Sequence, residues 1–442
     1  MTSMEPLALD GGAPLMAHDY SAQWPPTPLP ADDLFRIAPA ALTAEVGTRR
    51  VARLERHWRN ATSRTHAVAC RSGDVALRMI VTGLELDPGD EVICPADAAL
   101  TARVLFGASV VAVPVDLDPR TLQLDPDAVR AAITDRTRAV VVVDRHGSTA
   151  DYDALAAVCD PAGIALIEDA SESLGATYHG RPAGAHGMAS FCSVSGHDAR
   201  SPLGTSGLFA TDDEDLIAAA QRMLLVNNDT PLPGTAGLDP ESGGHSRMTG
   251  WSCQLSELDA VLAHAQLRRN HEQLGTRVAN GSHLCLRLAD VPGVWTPEPV
   301  DGATNVYTSL PLLVVPDELG LPEDAAPALR DAVVDALTAE GLWIDSWRPQ
   351  GSNPMLVGGV GAQHQAWRVT RTPGRFAVSE ALAGCAVVLG HLRSPFEPPH
   401  TTITMDAVAD CFEKVLVENV DRLRQLTVRR FEAQAEPTRR TA

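Results

Sequence analysis

From about residue 40 to 275, short apolar runs alternate with amphipathic stretches, and this alternation sets the first expectation. Glu91–Pro95, Ser109–Val115 and Ala139–Val143 are apolar runs of strand length, and Ala165–Ile167 leads directly into Glu168 and Asp169. Pro126–Ile133 and Tyr152–Val158 between them carry apolar residues at helical spacing. Strand, helix, strand at this spacing predicts an α/β domain with a doubly wound, mostly parallel sheet. Ligands in such sheets bind beyond the carboxyl ends of the strands. That makes Asp169 a candidate site residue, although aspartate after a strand is also a common turn former.

The pattern changes near residue 276. Val306–Val315 and Leu342–Ser346 read as strands and Ala326–Glu340 as a helix, while Val408, Phe412, Val415 and Leu416 share one helical face. The expected organisation is an extended lead-in over 1–39, a large domain over 40–275, a smaller α+β domain over 276–428 and a polar, frayed tail over 429–442. The lead-in contains AQWPPTPLPADD at 22–33, too rich in proline for a helix.

Composition narrows the function classes. The chain has 442 residues, 45% hydrophobic and 21% charged, an ordinary globular balance. Its formal charge of -20 disfavours binding to phosphate backbones. Lys and Arg total 36, yet Lys414 is the sole lysine of the sequence. The eight cysteines are scattered without a C-x-C or C-x-x-C pair, which argues against a structural zinc or iron–sulfur site, and no metal is expected. Met1 to Leu15 does not read as a signal peptide and no apolar run reaches the ~20 residues of a membrane span, so a cytoplasmic chain with reduced thiols is expected.

The segments LDPGDEVICP, VVAVPVDLDPRTLQLDPDAVRAAITDRTRAVVVV and IEDASESLGATYHGRPAGAHGMASF resemble the DegT–DnrJ–StrS family of sugar and aminocyclitol aminotransferases. The likeness continues through LGTSGLFATDD, GWSCQLSELDAVLAHAQLRR and EGLWIDSWRP, covering most of residues 40–425. It implies a fold-type I aminotransferase: a large domain with a mostly parallel doubly wound sheet, a smaller C-terminal α+β domain, and a homodimer with its site between domains and subunits.

Carried over residue by residue, the resemblance yields an altered site. The family acid that pairs with the pyridine nitrogen of pyridoxal phosphate matches Asp169. The glutamine near the ring's phenolic oxygen is replaced by Glu172, a repulsive neighbour for a phenolate. The phosphate cup matches Ser72-Gly73-Asp74, where backbone donors remain but Asp74 brings a negative charge in place of a hydroxyl. Asp74 is equally a good helix-start residue. The segment Pro95-Ala96-Asp97-Ala98 lacks the ring that stacks on the pyridine face, and a second phosphate ligand becomes Cys192. The interface motif appears as Gly250-Trp251-Ser252-Cys253-Gln254, leaving Ser252 and Gln254 in place of asparagine and arginine. The Schiff-base lysine aligns with His197, or with Asp198 when counted back from Gly207. Lys414 is placed on the outer face of the last amphipathic helix, solvated.

Without that amine, lysine-tethered transamination is not expected. The first reading is a member that has lost its cofactor, binding neither form covalently and acting as a partner protein, alone or as a heterodimer with an active paralogue. In the same reading it could be a cofactor-free acid–base catalyst using His197, Asp169, Glu172, Asp74 and Cys192. The alternative is a sugar dehydratase that uses pyridoxamine phosphate, with His197 as base. A third is a binding module for a sugar nucleotide or cyclitol.

Overall fold

The computed structural model describes residues 5–16, 49–194, 206–225, 253–347, 376–390 and 395–439; the 22–33 segment, His197, Asp198 and Ser252 lie outside them. The first layer of elements is α1 (Arg49–Thr62), β1 (His66–Cys70), α2 (Gly73–Gly83), β2 (Glu91–Pro95), α3 (Ala99–Gly107), β3 (Val111–Val115), α4 (Pro126–Ala132), β4 (Thr137–Val143), α5 (Tyr152–Cys159) and β5 (Ala165–Asp169). A small hairpin, β6 (Thr177–Tyr178) and β7 (Arg181–Pro182), precedes β8 (Ala189–Ser193), β9 (Gly207–Thr211) and α6 (Glu214–Leu225).

Seven strands form one sheet in the order β1-β9-β8-β5-β4-β2-β3. Only β9 runs against the others, pairing antiparallel with both β1 and β8, so the doubly wound, mostly parallel expectation holds. Helix starts are locally encoded. Ser72 caps α2 by accepting the Val75 N–H at 3.2 Å, and Asp151 caps α5 through Ala154 at 2.9 Å. Asp125 precedes Pro126 at the first turn of α4, where the missing N–H costs nothing. Strand β4 shows why its run is apolar throughout: Ala139, Val141 and Val143 enter one core cluster while Val140 and Val142 enter another across the sheet.

The next helix, α7 (Glu257–Leu288), spans 32 residues. Ala260, Ala263 and Leu267 at its start pack with the large-domain residues Leu54 and Trp58, whereas Leu284 and Leu288 enter the second core. The change of pattern near residue 275 therefore falls inside one helix shared by both cores, not at a linker. Beyond it lie β10 (Val294–Trp295), β11 (Leu310–Val314), α8 (Ala326–Ala339), β12 (Asp345–Ser346), α9 (Ala377–Cys385), β13 (Ala386–Leu389), α10 (Thr402–Glu413) and α11 (Val420–Arg439). Their sheet has the order β10-β11-β13-β12. Helix α11 carries on through most of the stretch expected to fray; Leu423 and Thr427 are buried and Arg430 pairs with Asp335. Among the described residues no helix is long and apolar enough to cross a membrane.

Lys414 overturns its expected position. It is only 3% exposed, and its Nζ donates to Glu340 Oε2 at 2.9 Å and to the Ala13 carbonyl at 3.0 Å. Glu340 also accepts the N–H groups of Ala8 (2.9 Å) and Leu15 (3.1 Å). The periodicity failed here because this turn is covered on more than one side: Cys411, Phe412, Val415 and Leu416 are buried as well, and the N-terminal segment and Glu340 close over the lysine. The residue is a clamp between α10, the end of α8 and the N-terminal segment.

One acid is held against its charged form in the large domain. Glu55 on α1 accepts the Ala69 N–H of β1 at 3.0 Å, and burial pushes its carboxyl up to about 7. Because the folded state keeps a proton that the unfolded chain releases near pH 4.5, stability should fall as pH rises from there through about 7. A Glu55→Gln variant, which retains the acceptor, should lack this fall and be about 1–2 kcal/mol more stable at pH 8, with no advantage at pH 4. Urea unfolding of both proteins at the two pH values checks this; equal stability at pH 8 would refute it.

Candidate functional site

The carboxyl ends of β1, β2, β4, β5 and β8 converge, and the loops leaving them assemble the site. Beyond β1 the chain passes through extended Ser72 into the eleven-residue α2. A Cβ on Gly73 would lie 3.1 Å from Ser193 Cβ and 3.3 Å from Ser193 N, so glycine lets the helix start approach the end of β8. On the other side, a Cβ on Gly207 would meet the Ser72 carbonyl oxygen at 2.0 Å. Ser72 and Gly73 thus sit at a tight helix start suited to an anion. Asp74 does not oppose one as expected. Its carboxylate turns to Arg103, Oδ2 to Nη2 at 2.9 Å, and both side chains are about half exposed.

At the end of β5, Asp169 is 5% exposed. Its Oδ1 accepts the Ser171 N–H at 3.0 Å and the Ser171 hydroxyl, while Ser171 Oγ accepts the Ser193 N–H at 2.9 Å. Ser171 therefore ties the acid to β8. Glu172 follows directly after Ser171. It is not left beside an anion: Arg145 Nη1 lies 3.2 Å from its Oε1, and the His146 N–H donates to its Oε2 at 3.0 Å. Arg145 also faces Asp97, just beyond β2, with Nη2 3.4 Å from Oδ1.

Burial raises the Asp97 carboxyl, with Arg145 opposing. Burial works against the Arg145 charge too, yet Asp97, Glu172 and Asp169 together keep it firmly protonated. Asp144, also fully buried, is pushed up to about 7 by burial although Ala150 N, Ser173 Oγ and Tyr152 OH all donate to it. Among the described residues, Asp97, Glu172 and Asp169 thus act on the Arg145 guanidinium, and Asp144 stands buried beside them as an acid that burial holds toward its protonated form.

Of the residues singled out from the sequence, the structure brings Ser72, Gly73, Asp169 and Glu172 to this confluence. Sequence reasoning missed Asp97, Asp144, Arg145 and Ser171. The available signal was the abrupt run of polar residues, Asp144-Arg145-His146, after the wholly apolar β4. Cys192 does not belong. It points from β8 into the apolar cluster of Trp58, Leu208 and Leu255, is fully buried, and burial pushes its thiol well above the ordinary range. The alternation of β8 explains the miss, because the Cβ of Ser193 rather than that of Cys192 faces the start of α2 at Gly73. Gln254 forms a bridge with Cys70 and its amide donates to the Leu224 carbonyl at 3.0 Å, a contact within the chain. His197, Asp198 and Ser252 fall outside the described residues.

Among the described residues no His, Cys, Asp and Glu group could hold a metal ion. A cavity of about 500 Å³ along α5, lined by Tyr152, Asp160, Arg181 and His186 among others, lies away from Asp169 and Glu172 and is separate from this confluence.

A seven-stranded, mostly parallel sheet with an acid beyond β5, a tight helix start beyond β1 and a smaller antiparallel domain is the fold-type I architecture of pyridoxal-dependent transferases. Residues 41–347 match the DegT/DnrJ/EryC1/StrS aminotransferase family, and the chain belongs to it. It is 32% identical over 364 residues to the L-glutamine:scyllo-inosose aminotransferase of Streptomyces griseus, covering 79% of this chain and 82% of that protein. DesI, solved in the presence of its TDP-sugar product, is 27% identical with a TM-score of 0.73, covering 96% of this chain and 98% of that one. The GDP-4-keto-6-deoxy-D-mannose-3-dehydratase of E. coli, solved with bound hydrated PLP, shares the fold at 19% identity and a TM-score of 0.72, over 87% and 98% of the two chains.

These likenesses correct the expectation that the cofactor has been abandoned. The chain sits among aminotransferases of this family, and the charge that argued for loss, Asp74, is neutralised by Arg103. The residues fit a pyridoxal-type group: a helix start held close to β8 for the phosphate, and Asp169, fixed by Ser171, for the ring nitrogen.

Proposed function

We propose that this chain binds pyridoxamine phosphate without a covalent link and uses it to remove a hydroxyl, as water, from a keto-sugar or keto-cyclitol. One observation carries the reading. The sequence has a single lysine, and Lys414 is locked by Glu340 into the smaller domain, so no lysine amine is free to capture an aldehyde cofactor. The dehydratase among the solved neighbours and the cyclitol-acting relative are consistent with the substrate class.

In this reading Ser72 and Gly73 hold the phosphate end at the start of α2. Asp169 keeps a proton on the ring nitrogen, and Ser171 fixes the orientation of that carboxylate. The bound group supplies the amine that condenses with the ketone and a ring that withdraws electrons. His197 takes the proton released from carbon and returns it to the departing hydroxyl, a role suited to an imidazole that titrates near neutrality.

Titration of the purified protein with pyridoxamine and pyridoxal phosphate, followed by near-ultraviolet absorbance, should show saturable binding of the pyridoxamine form. A His197→Ala variant should bind it equally well while water elimination from a keto-cyclitol falls by about 10²–10⁴-fold. Binding without any turnover by the wild type would favour a cyclitol-binding module, and absence of binding would end the proposal.

A further inference from the structure

Among the described residues, the cation of the site is Arg145, which has no counterpart among the positions matched to the family. Arg145 stands two residues beyond β4 and is 9% exposed. Its backbone is clamped by buried Gln123, whose Oε1 accepts the Arg145 N–H and whose Nε2 donates to the Arg145 carbonyl, both at 3.1 Å. The guanidinium reaches Glu172 with one terminal nitrogen and Asp97 with the other. Its Nε has no hydrogen-bond partner among the described residues, and neither has Asp97 Oδ1.

Leaving a buried N–H unpaired is costly, so a clamped guanidinium with an idle donor is arranged for an acceptor that arrives later. Glu172 occupies the position that the resemblance sets beside the phenolic oxygen of the ring. A carboxylate there would repel a phenolate, whereas a guanidinium held by that carboxylate attracts it. We infer that Arg145 is a cofactor-binding residue that donates to the phenolic oxygen of bound pyridoxamine phosphate, and that Glu172 and Asp97 are positioning residues that hold its fork.

The inference rests on the reading that this chain binds the cofactor, and it explains how glutamate is tolerated where the family carries glutamine. Since the cation stabilises the ionised phenol, the bound ring should lose its phenolic proton at lower pH than the free compound.

The test compares binding of pyridoxamine phosphate with that of its analogue lacking the phenolic oxygen, in the wild type and in Arg145→Leu and Arg145→Lys. The wild type should prefer the natural compound by about 10- to 100-fold, and Arg145→Leu should lose that preference. Arg145→Lys, which keeps the charge, should retain part of it. The phenol titration read from the bound absorbance band should move to higher pH in Arg145→Leu. Should that variant fail to fold, an unshifted titration and unchanged preference in Arg145→Lys and Glu172→Gln would refute the inference. Equal preference in the wild type and Arg145→Leu overturns it while leaving cofactor binding intact. Failure of the wild type to bind either compound overturns both.

Discussion

Replacing Lys414 with methionine is expected to destabilise the protein by about 3–5 kcal/mol, because it strands Glu340 as a buried, uncompensated carboxylate. Glu340 is fully buried and holds Lys414 Nζ together with the N–H groups of Ala8 and Leu15, so the loss also loosens the N-terminal segment from the smaller domain. Adding Glu340→Gln removes the stranded charge and keeps a neutral acceptor, and the double variant should recover much of the loss. Urea unfolding measures both steps. A single substitution costing less than about 1 kcal/mol would place the lysine in a solvated setting, where exposed pairs belong. The same ion pair has a chemical signature: borohydride reduction of the native protein with pyridoxal phosphate should leave no pyridoxyl group on the chain. A labelled Lys414 would sink the proposed mode of cofactor use.

Changing Asp169 to asparagine should lower turnover by about 30- to 3000-fold, corresponding to about 2–5 kcal/mol for a buried charge-assisted contact that loses one partner. Fold stability should be little affected, since asparagine can still accept the Ser171 N–H that Asp169 Oδ1 accepts now. The absorbance of bound pyridoxamine phosphate should meanwhile report a ring nitrogen that is no longer protonated at neutral pH. If Asp169→Asn works as well as the wild type, the carboxylate has no part in holding that proton and the assignment of the ring site to β5 fails. Ser171→Ala offers the milder control, because it leaves the carboxylate in place and removes only the hydroxyl that links it to the Ser193 N–H, and it should cost about 0.5–3 kcal/mol of the same effect.

Much of the architecture was readable from local chemistry. The apolar run of β4 is satisfied by burial on both faces, and the helical stretches expected from Pro126 and from Tyr152 begin there in the structure. Asp169 and Gly73 were legible because a carboxyl-end position and a helix start are properties of chain order. Arg145, Asp97 and Asp144 were not, since each is an unremarkable polar residue until β2, β4 and β5 lie side by side and bring their ends together. Cys192 and Lys414 failed for a related reason: whether a given side of a strand or helix is buried, and against what, depends on the elements that pack there, here the α1 side of the sheet for Cys192 and the N-terminal segment with Glu340 for Lys414.

The sequence by itself determined that a parallel, doubly wound sheet would form, that its carboxyl edge would carry Asp169, and that only one lysine existed to react. Tertiary structure alone decided what surrounds these groups: that Arg103 cancels Asp74, that Arg145 bridges Asp97 and Glu172, and that Lys414 is committed to Glu340. The physical reason is that electrostatic pairing acts through space over a few ångströms, whereas these partners stand 29, 48, 27 and 74 residues apart along the chain.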